Sequence, residues 1–256
     1  MSKIRTILLT GGGGKLGRVW VAHLLACGHR VLTTTRRDPS LREVLGEHAE
    51  AAQVGRLQGW SIDLAEAGAA ARLANLIGNK GLQPDALINN ARSRDTLRVD
   101  PDGAVIRENF SAELLIDVVV PYELTMAIAT MKGSRLDRVV NVSSMYGIVA
   151  ANPALYDDPR QDSPIHYSVA KAALIHLTRE LAVRLAPRNI CVNAISFGGI
   201  EGRVDEGFRQ RYARLSPQGR MLQENDTLAP LDFLLSDGAS GVTGHNLVVD
   251  GGWSAW

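Results

Sequence analysis

Apolar residues along this chain fall into two kinds of run. Short, dense runs recur at Ile4 to Leu9, Arg30 to Thr35, Ala86 to Asn89, Arg138 to Val142 and Ile190 to Ile195, with a weaker one at Val54 to Trp60. Longer stretches at helical spacing lie between them. Strand and helix in alternation predict an α/β fold, a doubly wound parallel sheet with right-handed crossovers and helices on both faces. Ser163 to Ala186 reads as one long helix, with Pro164 near its start and Pro187 directly after it. By contrast, residues 198 to 225 are rich in Gly, Arg and Gln and weakly periodic, which predicts a lid rather than core.

A length of 256 residues suits one large domain spanning 1–256. The formal net charge of +1 supplies no global attraction to nucleic acid or to an anionic membrane surface, so the expected partner is a small molecule. Cys27 and Cys191 sit in apolar runs and read as buried small hydrophobes of a reducing compartment. The six histidines are scattered, and no metal is expected. Met1-Ser2-Lys3 leads straight into a strand pattern, without a signal-peptide core or a membrane-spanning stretch, so the expected location is the cytoplasm.

The first strand runs into Thr10-Gly11-Gly12-Gly13-Gly14-Lys15-Leu16-Gly17 and then into a helix. Glycines there let backbone approach a pyrophosphate, and the helix N-terminus offers free N–H groups to the anion. The expected architecture is therefore Rossmann-like, with Gly11, Gly14, Lys15, Leu16 and Gly17 against the cofactor. After the second strand, where an acid would hold the ribose hydroxyls of NAD, the chain has Thr35, Arg36 and Arg37. Two guanidinium groups can pair with a 2′-phosphate, so NADP(H) is expected over NAD(H), with Lys15 as a second phosphate contact.

Tyr167 and Lys171 stand four apart at the start of the long helix and share a face, and Tyr167 is the only one of the five tyrosines with lysine at that offset. An ammonium beside a phenol favours the phenolate, as acid/base chemistry requires. Ser143-Ser144 follows the fifth strand and offers a hydroxyl to a carbonyl oxygen.

Together these motifs resemble the short-chain dehydrogenase/reductase family over nearly the whole chain. Further matches are Asp63, Asn89-Asn90-Ala91, Asn193 to Gly199 and the ending Ser240 to Gly252. The resemblance implies that Tyr167 exchanges the proton, that Lys171 supports it and binds the nicotinamide ribose, and that Ser144 positions the substrate oxygen. Ser144 is preferred because the family's serine stands three residues before a glycine, here Gly147; Ser143 stays as the alternative. Asp63 and Leu64 are implied near adenine, with Asn90, Ala91 and the stretch Ile195 to Gly198 lining the cofactor. A homo-oligomer, a tetramer, is also implied, with the long helices and the segment ending in Trp253 and Trp256 as contacts.

Four departures stand out. The glycines fall at 11, 14 and 17, a spacing closer to the sugar-nucleotide branch. Arg92 replaces a usual glycine and puts a cation at the mouth of the site. Asp117 stands where a relay asparagine is usual, and it is not counted among the site residues. Phe197 replaces a proline. Between Ser144 and Tyr167 an inserted loop at about 151–163 carries polar groups, and the Ser-Ser-Met-Tyr-Gly run before it is similar to members associated with flagellin modification and nonulosonic acid pathways. The arginines of the lid, 203, 209, 211, 214 and 220, suggest a polar or anionic ligand. Two other readings stay open: a non-catalytic, cofactor-sensing protein, and a sugar epimerase or dehydratase that retains its nicotinamide.

Overall fold

The computed structural model describes residues 3–202 and 204–256. Strand β1 (Thr6–Leu9) buries Ile7, Leu8 and Leu9 completely. A central parallel strand is covered on both faces, so it has no polar alternate positions. Helix α1 (Lys15–Ala26) then crosses over, burying Gly17, Trp20, Val21, Leu24 and Leu25 along one stripe. The pattern continues through β2 (Arg30–Thr35), α2 (Asp38–Glu47), α3 (Ala49–Gln53), β3 (Leu57–Ser61), α4 (Ala69–Asn79) and β4 (Ala86–Asn89). The second half comprises α5 (Arg107–Leu114), α6 (Val120–Thr130), β5 (Arg138–Ser144), α7 (Pro159–Asp162), α8 (Ile165–Leu185) and β6 (Cys191–Phe197). It closes with α9 (Glu206–Leu215), α10 (Leu228–Leu235) and β7 (Asn246–Val249).

The sheet order is β3-β2-β1-β4-β5-β6-β7, and every pairing is parallel. The strand order reverses between β1 and β4, opening a crevice at their carboxyl ends, where doubly wound proteins bind ligands. One apolar layer joins α4, α6 and α8 to the sheet through Leu73, Ile77, Leu124, Ile128 and Leu181. The opposite layer joins α1 and α10 through Trp20, Leu24, Leu231 and Leu234.

Several expectations need correction. Strands β5 and β6 run two residues beyond their apolar runs, because Ser143 pairs with Ser196 and Ser144 with Phe197 through backbone that does not depend on side-chain polarity. Strand β7 is not among the expected runs although Leu247, Val248 and Val249 are apolar; it is a short edge strand with partly exposed residues. Cys27 is exposed at the end of α1 and Cys191 is half-buried, so neither is a core residue. Trp253 is buried, stacked on Tyr212 at 4.5 Å between ring centroids, and is therefore part of the interior, whereas Trp256 is exposed. Asp232 of α10 reaches the His23 ring, with Oδ2 2.8 Å from Nε2, and Cys27 Sγ lies 3.6 Å from the same nitrogen. That grouping of three side chains of metal-ligating type was hidden by sequence separation.

The lid has its own small core of Met145, Leu155, Tyr212, Met221 and Trp253, which ties it to the inserted loop and to the C-terminal segment. The insert is a docked element rather than surface decoration: Leu155 is fully buried, Tyr156 packs edge-on against Phe208 at 5.7 Å, and Arg211 Nε donates to the Leu155 carbonyl at 2.8 Å. Arg209 pairs with Glu201 and Glu206, Arg211 with Asp157, and Arg220 with Asp226. Those three arginines have carboxylate partners within the protein, while Arg214 is exposed. Arg203 lies outside the described residues. Among the described residues no helix is long and apolar enough to cross a membrane.

Candidate active site

The glycine loop is built by close approach. Gly11 has φ +73°, and a Cβ there would lie 2.9 Å from Ala91 Cα. At Gly17 a Cβ would stand 2.1 Å from the Gly11 carbonyl oxygen, backbone against backbone. Gly12 is equally constrained, since its Cβ would meet Thr33 Oγ1 at 2.1 Å, a requirement the 11-14-17 spacing did not reveal. Thr10 fastens the loop to β4: its Oγ1 accepts from the backbone N–H of Asn90 and of Ala91, both at 2.9 Å, and Asn90 Nδ2 donates to the Thr10 carbonyl at 2.9 Å. Gly14 is the N-cap of α1, with no side-chain cap and no acid in the first turn. The amides of Lys15, Leu16 and Gly17 thus have no helical acceptor and meet an anion with the favourable end of the helix dipole. Replacing Gly17 by alanine is expected to lower stability by about 1–3 kcal/mol and to abolish dinucleotide binding. Gly14→Ala, whose nearest contact is 3.3 Å, should melt close to wild type. Thermal melts of the two variants read the difference.

Lys15 turns away from this loop. Its ammonium is hydrogen-bonded to the Glu201 carbonyl and lies 3.8 Å from Glu224, so it anchors the base of the lid instead of reaching toward Arg36. Arg36 lines a cavity of about 570 Å³ with Ser61, Ile62, Asp63 and Arg72. Asp63 accepts from the Ala65 N–H at 3.0 Å. Leu64 is buried in the core beneath this cavity, so its side chain does not line it. Across the crevice Arg36 pairs with Asp95 at 2.8 Å, and this guanidinium holds the Asp95 carboxyl below the usual carboxylate range. Arg37 is exposed at the N-cap of α2. Gly198 closes the far side, its N–H bonded to the Val249 carbonyl at 2.9 Å; a Cβ there would meet Asp250 Cα and Tyr212 Oη at 2.8 Å each.

The two serines after β5 are distinguishable. Ser143 Oγ donates to the Lys171 carbonyl at 3.0 Å, so its proton is committed to α8. Ser144 Oγ accepts from the Tyr146 N–H at 3.2 Å and keeps its own proton to donate. Gly147 lets this turn press on α8: a Cβ there would lie 2.8 Å from the Lys171 carbonyl carbon. Lys171 is 5 % exposed; its ammonium donates to the Val142 carbonyl at 3.0 Å and pairs with Asp117 Oδ1 at 3.1 Å, leaving a third N–H. The same ammonium is 5.8 Å from the centroid of the half-buried Tyr167 ring, and the Arg92 guanidinium lies 4.5 Å from that centroid. The other tyrosines near the site are held as phenols, Tyr146 by burial and by Tyr156, Tyr156 by burial with its bond to Tyr146 acting the other way, and Tyr212 pushed up to about 12 by burial.

Asp117, left aside on sequence grounds, is thus in direct contact with Lys171. It sits on a single π turn, Leu115–Val119, between α5 and α6, the kind of local bulge that re-aims a side chain inward. A second residue escaped sequence reasoning: Glu113, one turn earlier, is 0 % exposed. Its only signal was an acid four residues before Asp117 on the same helical run.

Residues 15–254 match the family model described as Enoyl-(Acyl carrier protein) reductase. The uncharacterized short-chain type dehydrogenase/reductase y4vI of Sinorhizobium fredii is 29% identical over 259 residues, 97% of this chain, which spans only 43% of that relative. The ribulose-forming D-arabinitol 2-dehydrogenase of Scheffersomyces stipitis is 27% identical, covering 98% of this chain and 94% of that protein. Post-translational flagellin modification protein A of Campylobacter coli is 38% identical over 115 residues, 45% of each chain. Among solved structures, a short chain dehydrogenase from Leptospira borgpetersenii with bound NAD+ superimposes with a TM-score of 0.86 at 28% identity, over 99% of this chain and 94% of that one.

Proposed function

The chain belongs to the short-chain dehydrogenase/reductase family, and from that premise we propose that it is an NADP(H)-dependent oxidoreductase interconverting a polar carbonyl compound and its alcohol. The observation that carries this is the placement of the Lys171 ammonium 5.8 Å from the Tyr167 ring, with Ser144 on the turn that presses on the same helix, in a chain whose glycine loop a Cβ would block.

The residues present fit a dinucleotide: the loop from Gly11 to Gly17 takes the pyrophosphate, the cavity beside Arg36 and Asp63 takes the adenosine end, and Asn90, Ala91 and Gly198 flank the crevice. When bound, the nicotinamide supplies or accepts the hydride. In the reducing direction Ser144 and Tyr167 donate hydrogen bonds to the carbonyl oxygen, and Tyr167 passes its proton as charge develops there. Lys171 and Arg92 stabilise the phenolate that remains. An alcohol-bearing substrate is favoured by the D-arabinitol relative, and the insert with Tyr146 and Tyr156, whose hydroxyls are 2.5 Å apart, offers polar groups beside the site. A homo-oligomer, read as a tetramer, has a surface available in the exposed Tyr122 of α6 and Val169 and Val183 of α8.

The preference for NADP(H) rests on Arg36 and Arg37. The Arg36–Asp95 pair is open to solvent on both sides, so a 2′-phosphate can displace one anion with another at small cost. Changing both arginines to alanine should weaken NADP+ binding by about 10- to 100-fold, as expected for losing charge-assisted hydrogen bonds, and leave NAD+ nearly unaffected. Parallel calorimetric titration of cofactor-free protein checks this; tighter NAD+ binding in the wild type would overturn the preference. Dinucleotide that stays bound through purification, with no net oxidation or reduction of any alcohol or carbonyl, would instead favour the epimerase reading.

A further inference from the structure

Four buried side-chain atoms have no hydrogen-bond partner among the described residues, and three of them lie on residues tied to one small region behind Lys171: Glu113 Oε1, Asp117 Oδ2 and His166 Nδ1. Glu113 and His166 are 0 % exposed and Asp117 is 2 % exposed. Thr96 links two of them, its hydroxyl donating to Glu113 Oε2 while its carbonyl accepts from His166 Nε2 at 2.7 Å. That bond requires a proton on Nε2 of His166. Asp117 in turn meets the Lys171 ammonium at 3.1 Å. Two carboxylates one helical turn apart, both shut from water and facing one lysine, repel each other if both ionise. Burial, followed by the nearby Asp117 charge, pushes the Glu113 carboxyl up, while the Thr96 hydroxyl, Arg92 and Lys171 act the other way.

On the premise that Tyr167 is the proton donor, we propose that Glu113 and Asp117 hold one proton between them and serve as a buried proton store behind Lys171. Asp117 is the ionised member, because it has the cation; Glu113 is the acid. When the Tyr167 O–H bond breaks and an O–H forms on the substrate oxygen, the phenolate recovers a proton from the Lys171 ammonium. The amine recovers one from the dyad, and the dyad, now two carboxylates in mutual repulsion, recovers one from solvent water when the Thr96 cover over Glu113 opens. No electrons move in these steps, and the net transfer is one proton from water to the substrate oxygen. Glu113 is a positioning residue, acting through Asp117 and Lys171. The charged and titratable groups around the pair are Lys171 and His166 of α8 and Arg92 after β4, with Thr96 of the same loop as the neutral contact.

Infrared difference spectroscopy of the cofactor-free protein tests the store without substrate or nucleotide. Wild type should show a carboxylic-acid carbonyl band at neutral pH that shifts in D2O. The band should vanish in Glu113→Gln and persist in Glu108→Gln, which alters an exposed acid of the same helix. In Asp117→Asn the repulsion is gone, so the band should titrate away at a pH about 1 to 3 lower than in wild type. Absence of the band in the wild type, its survival in Glu113→Gln, or an unchanged midpoint in Asp117→Asn would each overturn the proposal. Tyr167→Phe should keep the band, and failure of the protein to bind NADP+ in calorimetry would sink the oxidoreductase reading while leaving these spectra unchanged.

Discussion

Replacing Tyr167 with phenylalanine is expected to lower turnover by about 10²- to 10⁴-fold, the usual worth of a positioned acid, while NADP+ affinity stays near wild type. The substitution removes one oxygen and leaves the packing intact. Arg92 still has a ring to stack on at 4.5 Å, and Lys171 keeps its bonds to the Val142 carbonyl and Asp117. Loss of rate therefore reports the missing proton and little else. The other tyrosines around the site are poor substitutes, because burial holds Tyr146, Tyr156 and Tyr212 in the phenol form. Turnover of NADPH against a panel of polar ketones, with calorimetry of NADP+ on the same preparation, measures both quantities. A Tyr167→Phe protein that turned over at the wild-type rate would remove Tyr167 from the mechanism.

Lys171→Met should be costly in a second way. The lysine is the ion partner of Asp117, which is 2 % exposed, and removing one member of a buried pair leaves the other charge uncompensated. The expected loss is about 3–5 kcal/mol, which for a domain of this size lowers the melting temperature by roughly 6–20 °C. Adding Asp117→Asn to the same protein should recover much of that loss, because the orphaned charge is gone, without restoring turnover. Thermal melts of the two single variants and the double variant form a cycle that isolates the pair. If the double variant is no more stable than Lys171→Met, the ion pair is not what holds this region, and the cost lies in packing against α8. Activity recovered in the double variant would mean that Lys171 matters only for neutralising Asp117.

Much of the site was readable in order along the chain. A loop such as Gly11 to Gly17 and a pair such as Tyr167 and Lys171 are local: their geometry follows from backbone rules within a few residues. Ser144 needed one more step, the placement of Gly147, and the structure supplies the reason in the close approach of that turn to α8. Side-chain placement at Lys15 and Leu64 was not legible in the same way: the Lys15 side chain finds a carbonyl of the lid and Leu64 finds the core. Arg209, Arg211 and Arg220 are similar, since a cation counted in composition carries no record of the carboxylate it meets after folding.

The alternation of strands and helices, the glycine loop and the pairing of Tyr167 with Lys171 were determined by the chain itself, because periodicity, turn chemistry and helix spacing act over short distances and survive any arrangement of the parts. Tertiary structure alone decided which charges neutralise one another. Asp117 reaches Lys171, Arg92 reaches the Tyr167 ring, Arg36 reaches Asp95, and Glu113 is sealed away from water behind Thr96. These contacts join residues from separate elements, and the strength of each depends on burial and distance, which only the packed molecule sets.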